Sequence, residues 1–127
     1  MKRPIVITAG NATVQAELLD NPTGDAIWEA LPVEGKANVW GEEIYFDIPV
    51  TLPQADDARE EMAVGELAYW PTGKAFCIFF GPTPVSAGDE PRAYSPVNVF
   101  GRIVGDVSAL RDVPQGAPVR VIRSLVA

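Results

Sequence analysis

Histidine is absent from this chain of 127 residues, and cysteine occurs only once. The absence of histidine excludes His-based acid–base catalysis, Ser-His-Asp and Cys-His nucleophiles, and almost all ordinary zinc and iron sites. The lone Cys77 excludes an intrachain disulfide, and its place in an apolar run predicts a small buried hydrophobe rather than a reactive thiol. We therefore expect no metal site and no cofactor.

Positive charge and long apolar runs are also scarce. Ten Lys and Arg residues against seventeen Asp and Glu give a net charge of −7, which disfavours nucleic acid and anionic membranes as partners. The apolar stretches are too short for a membrane span or a signal peptide, which predicts a cytoplasmic protein. Hydrophobic residues make up 47% of the chain, enough for a core, and no linker or repeat divides it. We expect one domain over residues 1–127.

Short stretches in which apolar and polar residues alternate predict about seven strands. Residues 4–9 and 13–18 flank Gly10-Asn11, which is turn chemistry and predicts a hairpin. Further strands are expected within 37–50 and at 67–70, 75–80, 96–104 and 119–126. Polar loops are expected at 51–64 and 86–95. Short helical turns are expected near Asp57–Met62 and within 106–112. Strands of this spacing in one chain indicate a sandwich or a closed barrel, and periodicity alone does not decide between them.

One helix is clear from the pattern. Asp20 or Asn21 is suited to cap it, Pro22 fits its first turn, and Pro32 ends it. About ten residues are too few for a helix to stand alone in water, so it must pack on the sheet. We expect Trp28 and Leu31 to make that contact.

Four sequence blocks then resemble a known family. They are WGEEIYF at 40–46, GELAYWP at 65–71, FFGPTP at 79–84 and SPVNVFG at 95–101. Together they resemble the cyclophilin-like domain of the type first seen in a hypothetical Thermotoga protein, over about Ala16 to Val121. The resemblance implies a mainly β fold: a closed antiparallel cyclophilin-like β-barrel of about eight strands with one or two short capping helices.

The resemblance does not carry over a catalytic residue. True cyclophilins isomerise X-Pro bonds with an arginine, a glutamine, aromatic residues, a tryptophan and a histidine in a groove outside the barrel. This chain has no histidine, and Gln15, Gln54, Gln115, Arg92 and Arg102 match none of the motifs of that machinery. Fold alone does not confer function.

Aromatic residues form the first candidate site, because an aromatic groove with a few polar groups suits a peptide or a small organic ligand. Phe46, Phe76 and Phe80 alternate inward and are expected in the core. Tyr45 and Tyr69 have polar tips and are expected to face a groove. The predicted ligand-binding residues are Trp40, Tyr45, Tyr69, Phe79, Thr83, Pro84 and Asn98, with Trp70 a further aromatic candidate.

Three segments have competing interpretations. Residues 80–86 either hydrogen-bond a ligand through Thr83 or form a rigid strand exit. Asn98 either faces a ligand or pins a loop such as 81–86, and the structural role is preferred. The acidic residues Glu42, Glu43, Asp47 and Glu66 are expected on a solvated strand face rather than in a metal or catalytic site.

The leading functional hypothesis is a binding module that holds a peptide or small molecule in a surface aromatic groove. A divergent or weak prolyl isomerase is the first alternative, since twisting an X-Pro bond needs no proton transfer. An accessory subunit of a larger enzyme is the second, which leaves a homo-oligomer or a protein partner open.

Overall fold

The computed structural model describes residues 3–124 and shows a mainly β chain with one α-helix. The strands are β1 (Arg3–Ala9), β2 (Ala12–Leu18), β3 (Val33–Lys36), β4 (Asn38–Val39), β5 (Glu43–Asp47), β6 (Arg59–Glu61), β7 (Glu66–Trp70), β8 (Ala75–Phe79), β9 (Arg92–Val104) and β10 (Pro118–Arg123). Helix α1 spans Pro22–Ala30, and a 3-10 helix spans Ser108–Asp112. No helix in this described part is long and apolar enough to cross a bilayer.

All ten strands join one antiparallel sheet in the order β3-β10-β1-β2-β9-β7-β8-β5-β4, with β6 paired to β9. The two ends of this order, β3 and β4, are consecutive in the chain and are separated by Ala37 alone. Between residues 3 and 124, no ladder of hydrogen bonds joins β3 to β4. The predicted mainly β antiparallel fold is confirmed, with ten strands where about eight were expected.

The first hairpin and the helix follow the sequence signals. β1 and β2 pair from Ala9 opposite Ala12 outwards, and Gly10 occupies the turn with a φ of +56°, which glycine adopts without strain. The Asn21 side chain caps α1 by accepting a hydrogen bond from the Gly24 N–H at 2.8 Å. Of the two predicted caps, Asn21 is therefore the correct one.

Helix α1 packs on the sheet through Ile27 and Leu31, both buried in the main core. Leu31 thus makes its predicted contact, and a cis peptide bond follows it at Pro32. Trp28 also makes its predicted contact, because it is partly buried and packs against the main core, and the Arg123 guanidinium lies 4.5 Å from the centre of its ring. The outer side of the Trp28 ring is thus covered by a cation rather than by the core.

Two apolar clusters lie on opposite faces of the same strands. Phe46, Phe76 and Phe80 lie in the main core as predicted, and the Phe46 and Phe76 rings stack at 5.2 Å. The second cluster contains Met62, Ala68, Ala75, Cys77, Phe79, Ala93 and Val97. Strand β8 is therefore buried on both faces, and Cys77 is buried as predicted.

The predicted loops at 51–64 and 86–95 are shorter than expected. Arg59–Glu61 forms β6 instead of the expected helical turn, and β9 begins at Arg92 rather than at residue 96. These two segments pair with each other. Met62 then enters the second cluster, so burial of an apolar side chain outweighs the polar character of the neighbouring residues.

Strand β9 changes face part of the way along its length. Val97 and Val99 belong to the second cluster, whereas Ile103 lies in the main core, so their predicted common face is wrong. The cause is a bulge: Leu67 pairs with Gly101 while the next residue of β7 pairs with Val99. An extra residue in one strand exchanges inward and outward positions beyond it.

Candidate functional site

A cleft of about 180 Å³ opens on the face of the sheet that carries the second cluster. Its walls come from β5, β7, β8, β9 and the turn after β4, so five separate segments meet there. The residues that line it are Trp40, Glu43, Tyr45, Trp70, Cys77, Ala93, Tyr94 and Val97.

Strand alternation explains which side chains meet in the cleft. Glu43 and Tyr45 are two residues apart on β5 and so project from the same face. Tyr45 pairs directly with Cys77 on β8, which places the thiol beside them. Trp70 ends β7 on the same face, because its neighbour Tyr69 points into the main core.

Four aromatic side chains form a continuous wall through edge-to-face contacts. Trp40 meets Tyr94 at 6.1 Å with an angle of 71° between the rings. Trp70 meets Tyr94 at 6.2 Å and 77°, and Tyr45 meets Trp70 at 6.3 Å and 78°. Edge-to-face pairing is favourable because the positive edge of one ring meets the negative face of the next.

The Trp70 ring is held on both sides. Its indole N–H donates a hydrogen bond to the Ser95 hydroxyl of β9 at 2.6 Å. Gly73 lies against the ring, and a Cβ at that position would come within 2.5 Å of it, so the turn after β7 needs glycine to let the indole approach the backbone this closely. One of the two inner rings of the wall is therefore fixed before any ligand arrives.

Glu43 is the buried acid of the cleft, with only 5% of its surface exposed. Burial raises the pKa of its carboxyl group to about 7, and a hydrogen bond from the Cys77 thiol opposes that rise. Burial also raises the pKa of the Cys77 thiol well above its ordinary value. At neutral pH the Glu43 carboxyl is therefore close to its midpoint of ionisation.

The prediction of a solvated acidic face is wrong for Glu43, because β9 and the aromatic wall cover that face of β5. The other acidic residues lie outside the cleft: Asp47 is exposed, Glu42 bonds to Arg111, and Glu66 bonds to Arg59. Within residues 3–124, no three acidic or cysteine side chains are grouped so that they would hold a metal ion.

Two of the seven predicted ligand-binding residues, Trp40 and Tyr45, line the cleft. Tyr69 is fully buried, so its expected position in a groove is wrong. Its hydroxyl donates to the Val50 carbonyl at 2.6 Å and accepts from the Leu52 N–H at 3.3 Å. The polar tip that suggested a half-wet surface is instead satisfied by the backbone of the following loop.

Phe79, Thr83 and Pro84 lie near the cleft but do not line it. Phe79 is fully buried in the second cluster. Thr83 is buried, and its hydroxyl donates to the Arg92 carbonyl at 2.6 Å. Pro84 is exposed and packs so close to Gly41 that a Cβ there would come within 2.9 Å of it. This agrees with the rigid strand exit, which braces the turn that carries Trp40.

Asn98 has the structural role that was preferred, but it holds a different loop. Its side chain donates to the Pro53 carbonyl at 3.0 Å and accepts from the Ala55 N–H at 2.8 Å. Both ends of the amide are thus used by the 53–55 segment, whereas 81–86 was the expected partner.

Sequence reasoning missed Tyr94, and it did not place Cys77 or Glu43 in a site. Tyr94 was assigned to a polar loop because residues 86–95 are rich in Ser, Gly, Asp, Glu and Pro, yet it belongs to β9 and is 71% exposed at the rim. The alternation of β5 does contain the missing signal, since it puts Glu43 on the face of Tyr45. The sequence did not show that β9 folds over this face.

The chain is similar to a known protein family and to a solved structure. A family model described as cyclophilin-like matches residues 3–122. The solution structure of the hypothetical protein AF2241 from Archaeoglobus fulgidus is similar, with 39% identity, a TM-score of 0.82, and coverage of 97% of this chain and 95% of that one. No curated protein matches the chain. Because the family model covers nearly the whole sequence, this chain belongs to the cyclophilin-like family.

Proposed function

We propose that this protein is a binding module that holds a small molecule, or one side chain of a peptide, in the cleft. The observation that carries the proposal is a concave site walled by four aromatic rings with one buried carboxyl group, Glu43, among its lining residues. Apolar walls with a few convergent polar groups are the usual make-up of small-ligand sites.

The size of the cleft limits what it accepts. Its volume of about 180 Å³ is below the roughly 300–1,000 Å³ of sites for drug-sized ligands. A group of a few heavy atoms fits inside, and the rest of a larger ligand would lie across the rim. Tyr94, which is 71% exposed, offers a flat surface for that remainder.

The scaffold supports binding because it fixes the walls in advance. β5 and β7 both pair with β8, and β7 also pairs with β9, so the strands that carry the rings are tied together. A site that is ordered before binding loses less entropy when the ligand arrives.

We also propose that the sheet closes into a barrel behind the cleft. Gly35 of β3 faces β5, where a Cβ would lie 3.0 Å from the Phe46 ring. β3 therefore packs against β5, the strand beside the other end strand, and Ala37 alone links β3 to β4 in the chain. Closure of this kind would remove exposed sheet edges and stiffen the face that carries the site.

A fragment screen tests the binding proposal. Protein-detected NMR, with fragments at millimolar concentration and the assigned signals of Glu43, Tyr45 and Trp70 as reporters, should find fragments that shift these signals. The variant Tyr94→Ala removes an exposed ring at little cost to the fold. It should lower the affinity of those fragments about tenfold, which is the effect of losing a favourable ring contact. Val104→Ala, exposed on the opposite half of β9, is the matched control and should leave binding unchanged. A screen in which no fragment moves the cleft signals would overturn the proposal.

A further inference from the structure

We propose that the cleft selects an organic ammonium group, with the cation held against the aromatic wall and Glu43 as its counter-ion. This inference rests on the proposed binding function and specifies the chemistry of its ligand. The ammonium group belongs either to a free small molecule or to a lysine side chain of a peptide, and the experiment below separates the two sources.

The rings supply the first part of the argument. The face of an aromatic ring carries negative charge, and a cation within about 6 Å of the ring centre is attracted to it, most strongly by tryptophan. Trp40 and Trp70 line the cleft together with Tyr45 and Tyr94. Because neighbouring rings stand at 71° to 78° to each other, they turn their faces in different directions around one small space. A compact, weakly hydrated cation such as a methylated ammonium gains from several ring faces at once.

The carboxyl group supplies the second part. Glu43 lines the same cleft and is 95% withdrawn from water, with 5% exposure. In the described chain, no lysine or arginine forms a salt bridge with it, and the polar group beside it is the neutral thiol of Cys77. A buried carboxylate without a counter-charge is costly. A cationic ligand would provide the missing partner, whereas an anionic ligand would add a second negative charge.

The charge of the whole protein acts in the same direction. With a net charge of −7, the molecule attracts cations and repels anions as they diffuse towards it. This long-range effect does not select one cation from another. The rings and Glu43 must provide that selection at short range.

Binding of a cation should depend on the ionisation of Glu43. Since the pKa of Glu43 lies at about 7 in the free protein, affinity for a permanent cation should rise from pH 5 to pH 8 and then level off. The other titratable groups that face it are the Cys77 thiol from β8 and the Tyr45 and Tyr94 phenols from β5 and β9. Burial raises the pKa of Cys77, so it stays neutral in this range. The nearby charged residues Glu42 and Arg92 are engaged in ion pairs with Arg111 and with Glu60, Glu61 and Glu90.

The decisive experiment compares two probes of the same shape. Choline carries a trimethylammonium group, and 3,3-dimethyl-1-butanol replaces that nitrogen by carbon and is neutral. Isothermal titration and the NMR signals of the cleft would measure the Kd of both probes at pH 8. We expect choline to bind about a hundredfold more tightly, with about tenfold from a desolvated cation over the aromatic wall and about tenfold from the charge of Glu43. We also expect that only choline loses affinity when the pH falls to 5.

Glu43→Gln is the matched variant, because glutamine keeps the size of the side chain and removes its charge. It should lower the affinity for choline about tenfold and abolish the dependence of that affinity on pH. The affinity for the neutral probe should stay unchanged. A trimethyllysine peptide tests the second source. If it binds more tightly than choline, the ammonium group comes from a peptide; if it binds less tightly, the ligand is a free small cation.

The outcomes separate this inference from the proposed function. If the neutral probe binds as tightly as choline and both are weakened by Tyr94→Ala, the cleft binds ligands but does not select cations, and the inference is overturned. The same conclusion holds if neutral fragments bind in the cleft and choline does not. If neither probe nor any fragment shifts the cleft signals, the proposed function falls together with the inference.

Discussion

The replacement Glu43→Gln should change how the stability of the free protein depends on pH. In the folded state Glu43 keeps its proton up to about pH 7, whereas in the unfolded chain it loses the proton near its ordinary value of 4.5. Between these values the folded state binds more protons than the unfolded state, so the free energy of unfolding falls as pH rises. Below pH 4.5 both states are protonated, and above pH 7 both are ionised.

The size of the effect follows from the two values. One pKa unit corresponds to about 1.4 kcal/mol, so the rise from 4.5 to about 7 corresponds to roughly 3 kcal/mol of lost stability. Glutamine cannot ionise and avoids this loss. The difference in stability between variant and parent should therefore move by about 3 kcal/mol in favour of the variant from pH 4.5 to pH 8.

Urea denaturation at half-unit steps of pH, followed by tryptophan fluorescence, measures this difference. Glu34→Gln is the control, because its side chain is 77% exposed and the substitution should give a difference that is nearly independent of pH. A Glu43→Gln difference that stays constant within about 0.5 kcal/mol would show that water reaches the carboxyl group. In that case both the buried acid and the argument for a counter-ion are refuted.

Three further substitutions test the contacts around the site. Tyr69→Phe removes two hydrogen bonds to the 50–52 backbone and should cost about 1–2 kcal/mol in urea denaturation while leaving probe binding unchanged; weakened binding would place Tyr69 in the site after all. Asn98→Ala leaves two polar groups of the 53–55 loop without their partner, so hydrogen exchange at Ala55 should accelerate by at least about tenfold. Arg123→Ala removes the cation over Trp28 and two hydrogen bonds to the Trp28 carbonyl at 3.2 and 2.7 Å; it should cost about 1–2 kcal/mol, and unchanged stability would contradict the contact.

Local signals in the sequence predicted much of the sheet. The turn at Gly10, the cap at Asn21 and the inward alternation of Phe46 each depend on a few neighbouring residues, and all three are confirmed. Such features are specified within one strand, turn or helix end, so they can be predicted without knowledge of the tertiary structure.

The features that the sequence did not predict depend on contacts between distant segments. β6 is a polar strand of three residues that exists because β9 pairs with it, and no local pattern indicates such a strand. The bulge near Phe100 exchanges the faces of β9, which periodicity alone cannot reveal. The candidate site likewise depends on a distant segment, because β9 supplies Ala93, Tyr94 and Val97 to the cleft. For that reason the sequence placed Trp40 and Tyr45 near a groove but left Glu43 in solvent and Tyr94 in a loop.

The buried Cys77 thiol beside Glu43 can report local opening of the sheet, because its rate of labelling depends on its exposure. Cys77 is the single cysteine and is 1% exposed, so a labelling reagent reaches it only when the strands or the cleft side chains that cover it move apart. The rate of labelling therefore measures the frequency of local opening around Cys77. A ligand bound in the cleft above the thiol should slow this labelling. The rate measured with a chromogenic thiol reagent would then report the fraction of protein that carries ligand, with no added tag.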